Sequence, residues 1–319
     1  MNKKIAAIMP TFKTEETALN VANTLLDFVD MVICVDDKCP LNTGKIIERG
    51  RKDDKRIIVL YHDENKGVGG ATKTGIKYAL DLDFEIIIKI DSDGQMSPND
   101  IPRLIEPLLS GQCGLAKGNR FTDNEVLTNM PIIRLLGNIF LSFLTKLSTG
   151  YWELFDPTNG FIAMNHKTAK LIKLDKVDDR FFFESDILFR CSLSDVVIFD
   201  IPIEANYKNE VSSLNPIKQV LPFLIKHIRC TFKRILYHYF VRDFNPGSIS
   251  LILGMFSGII GIYIGSSRFM ITKITGATTP FGIQVLFLTC ILISNQLLIS
   301  FIFYDATQRP LLRRLKKIL

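Results

Sequence analysis

Up to about residue 210 the chain alternates short apolar runs with amphipathic stretches. The runs Ile5–Met9, Met31–Val35, Ile57–Leu60, Glu85–Ile90, Gly114–Gly118, Gly160–Met164 and Val196–Ile201 predict strands. Between the early ones, Glu15–Phe28, Thr43–Arg51, Ala71–Leu82 and Pro98–Leu109 predict helices. Strand–helix alternation predicts an α/β fold with a mostly parallel sheet covered on both faces. Such sheets bind ligands at the carboxyl ends of their strands, so the polar residues that follow strands are the place for chemistry.

Beyond Asn209 the pattern changes. Ile217–Phe240 interleaves Lys218, Lys226, Arg229, Lys233 and Arg234 with Leu, Ile, Phe and Tyr, the pattern of amphipathic helices lying in a membrane interface. A soluble helical subdomain is the other reading of that stretch. Ser248–Ser267 and Phe281–Tyr304 are apolar and uncharged, and at ~1.5 Å per residue each reaches across ~30 Å of hydrocarbon. The expected organisation is a catalytic domain over 1–210, juxtamembrane helices over 211–245, two transmembrane helices within 246–306 and a basic tail over 307–319. Arg229, Lys233, Arg234 and Arg242 precede the pair of spans, and Arg309, Arg313, Arg314, Lys316 and Lys317 follow it. Against Arg268 and Lys273 in the connecting loop, this predicts an integral plasma-membrane protein with catalytic domain and both termini cytoplasmic. Gly254, Gly258, Gly261 and Gly265 supply small-xxx-small pairs that permit close helix packing.

Composition agrees with this division. The 319 residues are 47% hydrophobic and 23% charged. A mean hydropathy of +0.20 is too apolar for an ordinary soluble enzyme and too polar for a multi-span transporter. The net charge of +6 is concentrated beside the apolar region, which favours an anionic membrane surface and argues against nucleic acid as the partner. The six cysteines show no metal-ligand spacing and read as reduced core residues.

The chemistry-bearing stretch is Ile86–Pro98. A buried strand runs into Asp91 and Asp93, two carboxylates at i, i+2 that would repel and raise each other's pKa. A hard divalent cation, Mg²⁺ or Mn²⁺, removes that cost and leaves positions open for diphosphate oxygens; Gln95 adds a carbonyl. A solvated Asp-Gly turn leading into Pro98 is the alternative. Pro10–Glu16 follows the first strand, Val35-Asp36-Asp37 ends the second, and Asn65–Ala71 precedes the third long helix. All are junctions at which a nucleotide would lie across the sheet. Gly67–Thr74 misses both the dinucleotide fingerprint and the P-loop at Thr72, so its glycines read as a tight turn into the helix.

Taken in order, these stretches resemble family 2 glycosyltransferases of the dolichol/polyprenyl-phosphate sugar synthase type. The matching pattern is Pro10-x-Phe12-x-x-Glu15-Glu16, Val35-Asp36-Asp37, Asn65-x-Gly67-x-Gly69-Gly70-Ala71 and Asp91-x-Asp93-x-Gln95-x-x-Pro98. It continues with Gly118-Asn119-Arg120, Asp156-x-x-Asn159-Gly160-Phe161, Phe183-Glu184-x-Asp186 and Tyr207-x-x-Glu210-x-Ser212-Ser213-Leu214. The resemblance implies a GT-A fold, that is, a Rossmann-like nucleotide-sugar-binding domain, followed by amphipathic interface helices and two transmembrane helices. It implies a UDP- or GDP-linked sugar donor, a polyprenyl (undecaprenyl) phosphate acceptor, a divalent metal, inversion at the anomeric carbon and a homo-oligomer (dimer or tetramer).

Carried over by position, Pro10, Thr11, Phe12, Glu15 and Asp37 would line the base and ribose, with Asp36 close by and Gly67 in the adjoining turn. Asp91, Ser92 and Asp93 would meet the metal and diphosphate, with Gln95 completing the metal set and Lys208 near the diphosphate. Arg120 and Arg134 would hold the acceptor phosphate, while Asp156, Asn159, Glu184 and Asp186 would sit near the sugar. The sequence departs from the family at Phe12-Lys13, where Tyr-Asn is usual, at Asp186, where Glu is commoner, and at Lys208, where many members carry Arg; these departures leave the sugar open.

An acceptor phosphate is already anionic and needs no strong base; its difficulty is approaching a second anion, which cations must screen. A hydroxyl acceptor on a lipid-linked glycan or glycolipid is the alternative, and would require Asp156 or Asp186 as base. A non-catalytic, membrane-anchored binding protein is a third reading.

Overall fold

A computed structural model of the protein describes residues 3–51, 53–121, 132–203 and 216–318. Internal contacts divide the chain into two units, Met1–Thr231 and Phe232–Leu319.

The first unit holds seven strands: β1 (Ile5–Thr11), β2 (Met31–Asp36), β3 (Ile57–Tyr61), β4 (Ile86–Lys89), β5 (Leu115–Asn119), β6 (Ile162–Asn165) and β7 (Ile198–Pro202). All seven runs predicted as strands are strands, their bounds within two residues of expectation. They form one sheet in the order β3-β2-β1-β4-β6-β5-β7. The helices are α1 (Ala18–Leu25), α2 (Thr43–Gly50), α3 (Val68–Asp81), α4 (Ile101–Leu109), α5 (Ile132–Thr149), α6 (His166–Leu171), α7 (Phe183–Leu193) and α8 (Pro216–Leu236), the last running on into the second unit.

Both sheet faces are apolar, as a sheet covered on two sides requires. Alternate residues serve opposite cores: Ala6, Ile8, Ile33 and Ile87 face one, and Ala7, Met9, Val32 and Ile88 the other. The strand order reverses between β1 and β4, which puts the ligand crevice at their carboxyl ends.

β6 is the departure from a parallel sheet. It runs antiparallel to both β4 and β5, and Ile162 at its start pairs with Lys89 at the end of β4. Residues 156–161, which lead into β6, therefore arrive beside residues 90–93. Three helix starts also differ from expectation, each by three residues: α4 begins at Ile101 because Pro98–Asp100 forms a 3₁₀ turn. α1 begins at Ala18 because residues 14–17 form a turn tied to the β4 loop. α3 begins at Val68, with Gly67 at φ +88° as its cap, so that Gly69 and Gly70 lie inside the helix.

α8 lies on the first unit through Phe223, His227 and Cys230. The His227 ring packs edge-on against Phe182 at 4.9 Å, and its Nδ1 lies 2.9 Å from Ser148 Oγ. Ser148 donates to the Thr145 carbonyl, so Nδ1–H is the donor to Ser148. Burial pushes the His227 pKa down to about 4. The folded protein thus keeps this ring neutral where the unfolded chain protonates it. Stability is expected to fall as pH drops from about 6.5 toward 4, by roughly 3 kcal/mol from this group. Urea unfolding at neutral and acid pH reads the slope; His227→Gln should flatten it, and an unchanged slope in that variant would contradict the assignment.

In the second unit a π-helical turn (Tyr237–Val241) precedes α9 (Pro246–Thr275) and α10 (Phe281–Ile318). α9 opens with a reciprocal cap: the Asn245 side chain accepts from the Gly247 and Ser248 amides, and Ser248 Oγ accepts from the Asn245 amide. Both helices are long and apolar enough to cross a membrane. The glycine stripe is the seam between them. A Cβ on Gly254 would meet Leu297 and Leu298, on Gly258 Ser294, on Gly261 Ile291 and Cys290, and on Gly265 Phe287. Arg234 and Asp305 form a buried pair at 2.7 and 3.0 Å, and Tyr239 donates to the same carboxylate at 2.7 Å.

Candidate active site

Ser92 ties the β1 and β4 loops together. Its hydroxyl donates to the Pro10 carbonyl at 2.9 Å and accepts from Thr14 at 2.8 Å, while its own carbonyl accepts from Thr17 at 2.7 Å. Thr11 turns inward and donates to the Val35 carbonyl. Phe12 is exposed, with the Lys13 ammonium 5.5 Å from its ring centre.

Asp36 and Asp37 are buried and serve the backbone. Asp36 accepts from the amides of Cys39 (2.6 Å) and Gly44 (2.7 Å), fixing the start of α2. Asp37 accepts from the amides of Lys66 (2.8 Å) and Gly67 (2.7 Å) and meets His62 Nδ1 at 2.7 Å. The Gly70 amide is also committed, donating to the Asp179 carbonyl at 2.9 Å. Around Gly67–Gly70, missing Cβ atoms make room for protein: one on Gly67 would lie 2.7 Å from Arg180 Cδ and from the Asp179 carbonyl, and one on Gly69 would strike the Asp178 carbonyl. The glycines admit the 178–180 loop as well as the turn read from sequence.

The centre of the crevice is the end of β4. Lys89 is only 2% exposed. Its ammonium lies 2.7 Å from Asp91 Oδ1, 3.9 Å from Glu184 Oε1 and 5.3 Å from the Phe183 ring centre. Gly160 closes over this group; a Cβ there would collide with the Lys89 ammonium. Burial pushes the Glu184 pKa up to about 8 against the pull of Lys89, and the neighbouring Asp91 charge adds to the rise. Asp93 Oδ1 accepts from the Gln95 amide at 3.0 Å.

Alongside lies a second charged group, delivered by the antiparallel β6. Arg120 Nε and one terminal nitrogen grip both Asp156 oxygens, each at 2.7 Å. Burial alone would raise the Asp156 pKa; the hydrogen bonds and charge of Arg120, with Lys117 beyond, outweigh it and hold the carboxyl below its usual range. Lys117 is fully buried and donates to the carbonyls of Gly118, Phe155 and Asp156 at 3.1, 2.8 and 2.7 Å. Its ammonium is 3.2 Å from Asp200, which also accepts from Asn119 at 2.8 Å.

Asn159 accepts from the Phe161 amide through Oδ1, while its buried Nδ2 has no hydrogen-bond partner among the described residues. Glu15 Oε2 is likewise buried without one. Asp186 is engaged by its own neighbours: its carboxylate accepts from the Asp178 amide at 2.9 Å and from Arg190 at 3.1 Å. Burial raises its pKa. For Arg134 the structure gives only the backbone, in the first turn of α5; its side chain, and Lys208 with the whole Tyr207–Leu214 stretch, lie outside the described residues.

Among the described residues no three His, Cys, Asp or Glu side chains converge as a cage for a metal. Two hard carboxylates on one turn suit a cation that takes its other ligands from diphosphate oxygens and water. Lys89, Lys117, Asp200 and Gly160 were not anticipated as site residues. The signal for the two lysines was available: each is a charge set inside an otherwise apolar strand.

Residues 6–172 match Glycosyl transferase family 2. The chain is 32% identical over 219 residues to a UDP-N-acetylglucosamine–dolichyl-phosphate N-acetylglucosaminyltransferase of Methanococcus voltae, covering 65% of this chain and 87% of that protein. It is 27% identical over 203 residues to an undecaprenyl-phosphate mannosyltransferase of Micrococcus luteus, covering 63% and 82%. It is 25% identical over 209 residues to a polyprenol monophosphomannose synthase of Mycolicibacterium smegmatis, covering 63% and 77%.

Proposed function

This chain belongs to glycosyl transferase family 2, and from that membership we propose that it moves a sugar, with inversion, from a UDP- or GDP-linked donor to a polyprenyl phosphate at the cytoplasmic face of a membrane. The observation that carries the reading is the meeting of two charged groups at the switch point of the sheet: Lys89–Asp91 with Asp93 from β4, and Arg120–Asp156 from the segments around β5 and β6. The acceptor class rests on the relatives, which by name act on dolichyl, undecaprenyl or polyprenol phosphates.

In the proposed reaction an acceptor phosphate oxygen forms a bond to the anomeric carbon while the bond from that carbon to the donor diphosphate breaks. The electron pair leaves with the nucleoside diphosphate, and no proton need be removed. Asp91 and Asp93 would hold Mg²⁺ or Mn²⁺, which supplies positive charge to the leaving diphosphate. Arg120 would draw in the acceptor phosphate, joined by Arg134 and, on the donor side, Lys208. Asp156 holds the Arg120 guanidinium in one plane. Asn159 Nδ2 and Glu15 Oε2 offer a donor and an acceptor that nothing among the described residues answers. α9 and α10 would anchor the enzyme with both termini in the cytoplasm, and α8 would lie in the interface.

Asp156 is locked to Arg120 and Asp186 to Asp178 and Arg190, which argues against either as the base for a hydroxyl acceptor. Glu184, poised near 8, keeps that second reading in play. The test is the full-length protein in nanodiscs with undecaprenyl phosphate and a panel of UDP- and GDP-sugars. The expected result is one donor whose sugar appears in the lipid fraction with Mg²⁺ or Mn²⁺ and not with chelator. Transfer to a glycolipid hydroxyl, with none to lipid phosphate from any donor, would replace the proposal by the second reading.

A further inference from the structure

Two neighbouring rows of the sheet differ abruptly in chemistry. On one face Ile87, Met164, Leu115 and Ile198 lie opposite one another across β4, β6, β5 and β7, all within a single core. Two residues further toward the crevice, the same face carries Lys89, Ile162, Lys117 and Asp200. Three charges thus replace three apolar side chains in the last row that the four strands share. Lys89 is accounted for by Asp91 and Glu184. Lys117 and Asp200, 3.2 Å apart, have no part in the proposed reaction, yet a charge pair kept in a core carries a desolvation cost.

What the pair holds is the frame around Arg120 and Asp156. Lys117 Nζ collects the carbonyls of Asp156, Phe155 and Gly118, and an ammonium has three hydrogens, so this set is complete. Asp156 stands at φ +49°, a left-handed conformation that an aspartate keeps where its surroundings hold it. Asp200 works from the other side. Its Oδ2 accepts from the Phe155 amide at 3.0 Å and from Asn119 Nδ2 at 2.8 Å, so one oxygen joins the turn before β6 to the residue that precedes Arg120. Asn119 Oδ1 accepts from the Phe121 amide at 2.9 Å, which carries the bridge past Arg120. Backbone on both sides of Arg120 and of its partner acid is therefore tied to one buried ion pair.

The geometry points to Lys117 and Asp200 as positioning residues that fix where Arg120 meets the acceptor phosphate. They act through the 155–156 carbonyls and through Asn119. The inference rests on the reading of Arg120 as the residue that receives that phosphate. Its consequence is that the acceptor group has a brace of its own, apart from the acids of β4.

Lys117→Met continues the apolar row and removes the cation. In the full-length protein in nanodiscs, kcat/KM for undecaprenyl phosphate is expected to fall about 10²-fold, the cost of misplacing a binding group by about 1 Å. The Kd for UDP or GDP, measured by calorimetry with Mn²⁺, is expected to stay at the parental value. A role in stability alone would move acceptor and nucleotide parameters together, in step with the folded fraction, and that outcome overturns the inference. So does a parental kcat/KM for the acceptor in folded Lys117→Met protein. If that variant does not fold, Asn119→Ala decides. It cuts the bridge from Asp200 to the Arg120 segment, leaves the ion pair in place, and is expected to show the same split on a smaller scale; an even loss, or none, overturns the inference as well. A second readout leaves the acceptor out. The stability coupling between Arg120→Met and Asp156→Asn, read from urea midpoints, is expected to shrink in the Asn119→Ala background, and coupling of full size there contradicts the brace. Absence of transfer to any lipid phosphate by the parent protein would refute the proposed acceptor and leave the coupling to decide the brace.

Discussion

Asp91→Asn is expected to slow sugar transfer by about 10³-fold while leaving the protein folded. Asn keeps the shape of Asp and can still accept the Lys89 hydrogen bond, which now spans 2.7 Å to Asp91 Oδ1. What is lost is a negative charge at the turn where donor diphosphate and cation would meet. Lys89 does not become a stranded buried charge, because Glu184 stands 3.9 Å away. Without Asp91 beside it, one of the influences raising the Glu184 pKa is gone, and this carboxylate ionises more readily to take over the pairing. The expected signature is a collapsed kcat with a melting temperature close to that of the parent. Near-parental kcat in a well-folded Asp91→Asn protein would remove the centre of the proposal.

Asp156→Asn is expected to act differently, lowering both stability and transfer. The side chain is 1% exposed and meets Arg120 through both oxygens. Removing one member of a buried ion pair costs about 3–5 kcal/mol. The lower end applies here, since the Arg120 side chain is 26% exposed and can turn toward water. Because Asp156 is held below its usual pKa in the fold, its contribution is complete at neutral pH and is lost as pH falls through the carboxylate range. The variant should therefore lose stability at pH 7 and show a shallower decline in acid, both read from urea midpoints. Combining it with Arg120→Met should cost less than the sum of the two single changes, because each removes the same pair. Strict additivity would show that the pair is not coupled.

The strands were legible because each is an apolar run bounded by turn residues, a signal local to a few positions. The direction of β6 was not, because apolar periodicity is the same whichever way a strand runs. Yet that direction decides that Asp156, Asn159 and Gly160 come to lie beside Asp91. The acids at 91 and 93 stood out as two charges closing an apolar strand. Ser92, between them, turned out to tie the loops, a role visible only once Pro10, Thr14 and Thr17 are in place. Asp36 and Asp37 look alike in sequence, and only the positions of the Gly44 and Gly67 amides show that each organises a different loop. Lys89 and Lys117 carry no partner within their own strands in sequence, although a buried lysine must find partners or stay neutral.

Running β6 backwards also bears on how such an enzyme can change. The acids of β4 are written in the first third of the chain, and the arginine with its partner acid in the middle third. The Lys89–Ile162 pairing brings the segments that carry them side by side. Under the proposed reaction, recognition of what is given and recognition of what receives it would be encoded in separate stretches of the gene. Drift in one can proceed while the other is inherited intact.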